Sequence, residues 1–139
     1  MAICLCYFVT NPKSLTTIKG GKGVVTIKDK AFAGCAKLKK IPAFEKLQTI
    51  GASAFKDCKM LASLMLSANV SKIGKDAFNG CAELKKITIK TMKLTDKAVG
   101  KNAFKGINSK ASFKCPKGKA KVYQKILQKK GAPKTAKFK

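Results

Sequence analysis

Apolar residues return at a regular spacing through most of the chain. Ala-Phe pairs end at Phe32, Phe55, Phe78 and Phe104, and successive pairs are 23, 23 and 26 residues apart. An Ile or Val stands five residues before each Phe, and in the first three copies a Cys follows three residues after it and a Leu six residues after it. These columns indicate an internal repeat, whose units must stack because one unit cannot bury its apolar face alone. The predicted units are 24–46, 47–69 and 70–92, followed by a divergent fourth at 96–117.

The second half of each unit has the form Leu-x-x-Leu-x-Leu, as in Leu84-x-x-Ile87-x-Ile89. Its apolar alternation has a period of two, which predicts a short strand with one buried face. The Ala-Phe-x-x-Cys stretch before it is compact and predicts a helical or 3₁₀ turn. Residues 93–95 are an insertion relative to the other units and are expected on a loop.

The two ends of the chain differ from the array. Residues 1–23 are interpreted as an N-terminal segment and linker, since the first nine are apolar but too few to cross a bilayer and 10–23 are polar and glycine-rich. Residues 118–139 are predicted to form a cap helix, ending at Gly131, and a tail. The helix carries an apolar stripe of Ala120, Val122, Tyr123, Ile126 and Leu127. That stripe either covers the open end of the array or lies on an anionic membrane, and we favour the cap because an uncovered apolar end should aggregate.

The third unit carries the fullest motif, Gly74-x-x-Ala77-Phe78-x-Gly80-Cys81-x-x-Leu84-x-x-Ile87-x-Ile89. Over about 24–117 the chain resembles the BspA-like subfamily of leucine-rich repeats, and its tail resembles the Lys-rich C-terminal cap of some of these bacterial proteins. The resemblance implies an α/β repeat fold: a short leucine-rich-repeat solenoid of about four coils, with parallel strands and a C-terminal helical cap. It also implies a non-catalytic binding or adhesion module of a secreted or cell-surface protein. The small number of repeats and the lack of a recognisable secretion signal are more typical of a piece of a longer chain.

The composition excludes several classes of activity. The net charge of +25 comes from 31 basic residues, all of them Lys, against 6 acidic ones. His is absent, which excludes Ser-His-Asp and Cys-His catalytic sets and His-containing zinc or haem sites. Glycines at 20, 21 and 23 match no phosphate-binding motif. We therefore expect no enzyme activity, no cofactor and no bound metal.

The six cysteines fall into two groups. Cys35, Cys58 and Cys81 are spaced by 23 residues and are expected to stack as buried, unreactive thiols, because a ladder of identical side chains suits disulfide geometry poorly. Cys4 and Cys6 are the more reactive pair if they are exposed.

Two surfaces are candidate binding sites. Residues between the buried strand positions should line the outer side of the sheet and engage a protein or glycan partner: Lys40, Pro42, Phe44, Ser63, Met65, Ser67, Lys86, Thr88 and Lys90. For Phe44 an equally weighted alternative is packing under the N-terminal segment. The second surface is a polyanion patch on and before the cap helix: Lys117, Lys119, Lys121, Lys125, Lys129 and Lys130. We expect it to bind polyanions (nucleic acid, glycosaminoglycan or teichoic acid) weakly and without sequence preference, since base reading relies chiefly on Arg. The protein is expected to act as a monomer or as part of a larger chain, without a membrane span.

Overall fold

The computed structural model describes residues 2–3 and 12–139 of the chain. These residues wind into a parallel-strand solenoid of about five turns, each of about 23 residues, with one C-terminal helix. We number the turns by their aromatic residues, so that the first to fourth contain Phe32, Phe55, Phe78 and Phe104 and the fifth contains Phe138. The elements are β1 (Ala2–Ile3), a 3₁₀ helix (Pro12–Ser14), β2 (Thr26–Ile27), β3 (Thr49–Ile50), β4 (Ser63–Leu66), β5 (Lys72–Ile73), β6 (Lys86–Ile89), β7 (Ser112–Lys114), α1 (Ala120–Lys129) and β8 (Lys137–Phe138).

The strands form two parallel sheets. The long-strand sheet has the order β4-β6-β7-β8, and its strands β4 and β6 are Leu-x-Leu segments of the repeat, as the alternation predicts. Leu64, Ile87, Phe113 and Phe138 follow one another in register across it. The short-strand sheet has the order β1-β2-β3-β5 and contains the Ile column five residues before each Phe. The column is visible in the sequence but predicts no strand, because a two-residue strand shows no alternation.

The Ala-Phe stretch is a compact run of hydrogen-bonded turns, as predicted, but it does not continue into a regular helix or 3₁₀ helix. The residue two positions before each Phe has a left-handed backbone: Lys30, Ser53, Asp76 and Asn102 have φ values of 58°, 55°, 56° and 59°. The residue two positions after each Phe, Gly in three turns and Asp57 in the other, also has positive φ. Left-handed residues on both sides break a helical path. Alternate backbone amides bond to the next turn, as from Phe55 N–H to Ala77 C=O at 2.8 Å, and the amides between them close local turns, as from Cys58 N–H to Phe55 C=O at 3.2 Å.

Aromatic rings form the centre of the core. The rings of Phe32, Phe55, Phe78 and Phe104 are fully buried and stack with centroid separations of 5.1, 5.4 and 5.4 Å. The Phe113 and Phe138 rings stack at 4.6 Å beneath the long-strand sheet. Each turn therefore buries its aromatic ring mainly against its neighbours, as expected for a repeat array.

Helix α1 packs against the solenoid through Tyr123 and Leu127, which are both buried. The Tyr123 hydroxyl donates a hydrogen bond of 2.8 Å to the Thr91 carbonyl, and burial raises the pKa of Tyr123. Val122, assigned to the apolar stripe from the sequence, is instead 47% exposed because it lies on the side of α1 away from the solenoid. The helix ends before Gly131, whose φ of +97° is left-handed, as predicted. No helix within residues 12–139 is long and apolar enough to cross a membrane.

Residues 130–139 complete a fifth turn, one more than the sequence predicted. Phe104 N–H donates to Lys130 C=O at 3.0 Å, which is the bond that joins earlier turns to one another, and β8 then pairs with β7. The signal for this turn was present in the sequence, since Ala-Lys-Phe-Lys at 136–139 matches Ala-Ser-Phe-Lys at 111–114.

Candidate binding face

Two rows of side chains run across the outer face of the long-strand sheet. Register places Ser63, Lys86, Ser112 and Lys137 in one row. Met65, Thr88 and Lys114 form the second row. We call these seven residues the sheet face. Because adjacent strands lie about 4.8 Å apart, side chains of one row are close enough to contact one ligand.

Most of the predicted partner-binding residues lie on or beside this face. Ser63, Met65, Lys86 and Lys90 are exposed and Thr88 is half-buried. Lys40 is exposed as well, and its backbone forms an isolated parallel β-bridge with Thr17. Lys137 was not predicted, because β8 itself was not.

Two predicted members of the face are buried, and for them the prediction is wrong. The Phe44 ring, only 2% exposed, lies against the N-terminal segment, where a side chain on Gly21 would collide with it. Phe44 therefore packs under the N-terminal segment, which is the alternative given above for this residue. Ser67 is 8% exposed, and its hydroxyl donates to the Leu47 carbonyl at 3.4 Å. Neither side chain is available to a partner.

Pro42-Ala43-Phe44 departs from the repeat at the column of Leu66 and Ile89, because Ala43 is exposed while both of those residues are buried. The second turn buries Leu66, whereas the equivalent Ala43 in the first turn is exposed and Phe44 after it is buried. Burying a Phe side chain stabilises a fold by about 1.5–3 kcal/mol, against less than 1 kcal/mol for one methyl group. The larger side chain therefore takes the core position, and no strand forms at 41–44.

The charge of the sheet face is uniformly positive. Lys86, Lys114 and Lys137 lie on it and Lys90 lies beside it, interspersed with the hydroxyl groups of Ser63, Thr88 and Ser112. Its rows contain no Asp or Glu. An array of ammonium and hydroxyl groups attracts and hydrogen-bonds anionic groups.

The candidate polyanion patch is exposed only in part. Lys117, Lys121, Lys125 and Lys129 are exposed, and Lys119 is half-buried. The Lys130 ammonium lies 3.5 Å from the Asp96 carboxylate, and its side chain is only 17% exposed. Because this pair largely withdraws Lys130 from solvent, its assignment to the patch is wrong.

The stacked thiols are buried and hydrogen-bonded to the backbone. The Cys58 and Cys81 Sγ atoms each donate to a Phe carbonyl of the preceding turn at 3.2 Å. Burial raises the pKa of Cys58 and raises that of Cys81 to about 12, and Cys35 is buried as well. Because the thiolate is the reactive form, these residues lie where thiol chemistry is suppressed. Cys4 and Cys6 lie outside the described residues. No cluster of potential metal ligands occurs within 12–139.

These features agree with comparison to known proteins. A family model for the BspA-type leucine-rich repeat region matches residues 6–132 in six copies. The chain belongs to the BspA-type leucine-rich repeat family. No curated protein matches it in sequence.

Three solved structures of leucine-rich repeat and related proteins resemble this BspA-type chain. A leucine-rich repeat protein from Bacteroides ovatus is 26% identical, with a TM-score of 0.65, over 88% of this chain and 35% of its own. The T. pallidum leucine-rich repeat protein is 23% identical, with a TM-score of 0.59, over 90% of this chain and 64% of its own. The pneumococcal vaccine antigen PcpA is 21% identical, with a TM-score of 0.62, over 93% of this chain and 37% of its own. The chain thus spans between about one third and two thirds of the length of these structures. Leucine-rich repeat proteins are generally non-catalytic binding modules, and this chain shares their architecture.

Proposed function

We propose that this BspA-type repeat protein binds a protein or glycan partner through its sheet face, as part of a secreted or cell-surface protein. The observation that carries the proposal is the register of β4, β6, β7 and β8, which presents two outward-facing rows of side chains as one continuous surface. The surface and secreted location rests on family membership.

A matched pair of variants tests the assignment of the face. Met65→Ser/Lys86→Ser/Lys114→Ser removes one exposed apolar side chain and two ammonium groups from the sheet face. Val122→Ser/Lys121→Ser/Lys125→Ser removes the same groups from the exposed side of α1. Wild type and both variants are applied to arrays of immobilised glycans and purified extracellular matrix proteins. We expect the sheet-face variant to lose any captured ligand and the helix variant to keep it.

Circular dichroism melting of both variants shows that the fold is intact. Equal retention of ligand by the two variants would contradict the proposal. Loss in the helix variant alone would move the site to the cap.

A second candidate function is polyanion binding through the cap. Residues 101–139 contain 13 Lys and no Asp or Glu, and Lys117, Lys121, Lys125 and Lys129 are exposed. Counterion release makes such binding strongly salt-dependent. The salt concentration at which each variant elutes from immobilised heparin measures this binding. If the cap dominates, the helix variant should elute at markedly lower salt than the sheet-face variant. If the sheet face dominates, the helix variant should elute at higher salt than the sheet-face variant.

A further inference from the structure

The long-strand sheet is interrupted between the first and second turns. In the third turn, Lys86 N–H donates to Ala62 C=O at 3.3 Å and Lys90 N–H donates to Leu66 C=O at 2.8 Å. The alternate amides of β6 thus face the preceding turn, as parallel pairing requires. By repeat equivalence, the amides of Ser63, Met65 and Ser67 face the first turn.

The first turn does not supply partners for these groups. Within 12–139, its contact with β4 begins with the bond from Ala62 N–H to Lys39 C=O at 3.3 Å, and no backbone bond joins Met65 or Ser67 to residues 41–44. The first turn departs from the repeat here, since Ala43 is exposed and no strand forms at 41–44. An edge of β4 with two amide donors and the carbonyl oxygens of Ser63 and Met65 therefore remains unpaired by the first turn.

A depression of about 270 Å³ lies beside this edge. Its lining combines apolar side chains with a hydroxyl-bearing and cationic rim: Ile41, Ala43, Ser63, Leu64, Met65, Lys86 and Thr88. No Asp or Glu is among these residues. Lys40 directly precedes Ile41 of this lining and Lys90 directly follows β6, and both side chains are exposed.

We propose that this depression, the β4 notch, binds an extended peptide segment that carries acidic side chains. The segment adds to the open edge of β4 by backbone hydrogen bonding with Met65 and Ser67, which is the recognition mode of strand addition. Alternate side chains of an extended peptide point to opposite sides, so apolar side chains face the inward-directed Ile41 and Leu64 while carboxylates lie on the outer side with Lys40, Lys86 and Lys90. Charge complementarity favours this occupant over a neutral or basic peptide. The proposal rests on the proposed function of the sheet face and names its partner class.

The first test uses labelled peptides and the whole chain. The probe is fluorescein-labelled Val-Glu-Val-Glu-Val-Glu, compared with Val-Lys-Val-Lys-Val-Lys and with an acidic peptide of the same sequence methylated at alternate backbone nitrogens. Fluorescence anisotropy at physiological salt should give a dissociation constant at least about tenfold lower for the acidic peptide than for either comparison peptide. A tenfold difference in the dissociation constant corresponds to about 1.4 kcal/mol of binding free energy. Equal binding of the methylated acidic peptide would overturn strand addition, because its charge is unchanged.

The second test closes the notch. Pro42→Met/Ala43→Leu/Phe44→Ser installs the residues found at the equivalent positions of the second turn and keeps every Lys. We expect this variant to melt cooperatively and to bind the acidic peptide at least about tenfold more weakly, whereas Lys121→Ser/Lys125→Ser on α1 should bind it as wild type does. Unchanged binding by the closing variant would overturn the proposal.

An independent readout on the wild-type protein keeps the test decisive if the closing variant does not fold. In ¹⁵N-resolved NMR spectra, the acidic peptide should shift the Met65 and Ser67 amide signals and slow their exchange with solvent. Shifts confined to lysine-rich residues of α1 would overturn it. The same spectra separate this inference from the proposed function. If ligands captured on the arrays require Met65, Lys86 and Lys114 but do not perturb the Met65 and Ser67 amide signals, the proposed function stands and this inference is overturned.

Discussion

Replacing Leu127 by Ala should remove one of the two buried side chains through which α1 packs on the solenoid. Leu127 is fully buried, and truncation of a buried Leu to Ala destabilises proteins by about 2–5 kcal/mol. Unfolding entropy of about 2.1 cal/mol/K per residue gives about 0.3 kcal/mol/K for a chain of this length. The melting temperature should therefore fall by about 7–17 °C.

Val122→Ala on the same helix is the matched control. Val122 is about half exposed and faces away from the core, so its truncation should change stability by no more than about 0.5 kcal/mol, or about 2 °C. Thermal melts followed by circular dichroism at a fixed protein concentration measure both shifts. If the two variants melt within 2 °C of each other, α1 does not cap the solenoid through Leu127. A lipid-binding helix would show the reverse sensitivity, with Val122→Ala weakening adsorption to anionic vesicles and Leu127→Ala leaving the melting temperature unchanged.

Two further predictions concern the repeat interior. In a Cys4→Ser/Cys6→Ser background at pH 8, the half-buried Cys115 should react with a thiol reagent well before the buried thiols of the stack. The buried thiols should react only when the protein unfolds, so rapid labelling of Cys58 or Cys81 under native conditions would contradict the stacking. Gly74→Ala should lower stability by at least about 1–3 kcal/mol, because a Cβ at Gly74 would overlap the backbone of Ala52. Gly34→Ala, where space is open and only the positive φ is unfavourable, should lower it less, and equal melting temperatures would remove the close-approach argument.

The repeat columns predicted the long-strand sheet because stacking one unit on the next fixes every equivalent residue at once. Leu64 and Ile87 were placed in register from their spacing alone, and the structure pairs them. The Met65 and Thr88 positions on the outer face follow from the same alternation. What spacing could not predict is where a unit departs from the pattern.

Phe44 shows where a prediction from the repeat spacing fails for a physical reason. Alternation predicts an outward side chain at this position, but Phe44 has several methylene equivalents more apolar area than Ala43, so Phe44 is buried, Ala43 is exposed and no strand forms. Lys130 shows the same failure for charge, since only the fold brings it to Asp96. The sequence contained the residues of both contacts but not the long-range geometry that joins them.

The bond from Tyr123 to Thr91 also determines how a pulling load would act on the solenoid. Turns that contact only their neighbours detach one at a time, and one turn of 23 residues releases about 80 Å of extended chain. Tyr123 instead holds the carbonyl of a residue 32 positions earlier, at the end of the third turn. Tension on the C-terminus therefore loads residues 91–139 together, and their release would lengthen the chain by about 160 Å in one step. A partner anchored at that end would be attached to a two-turn mechanical unit.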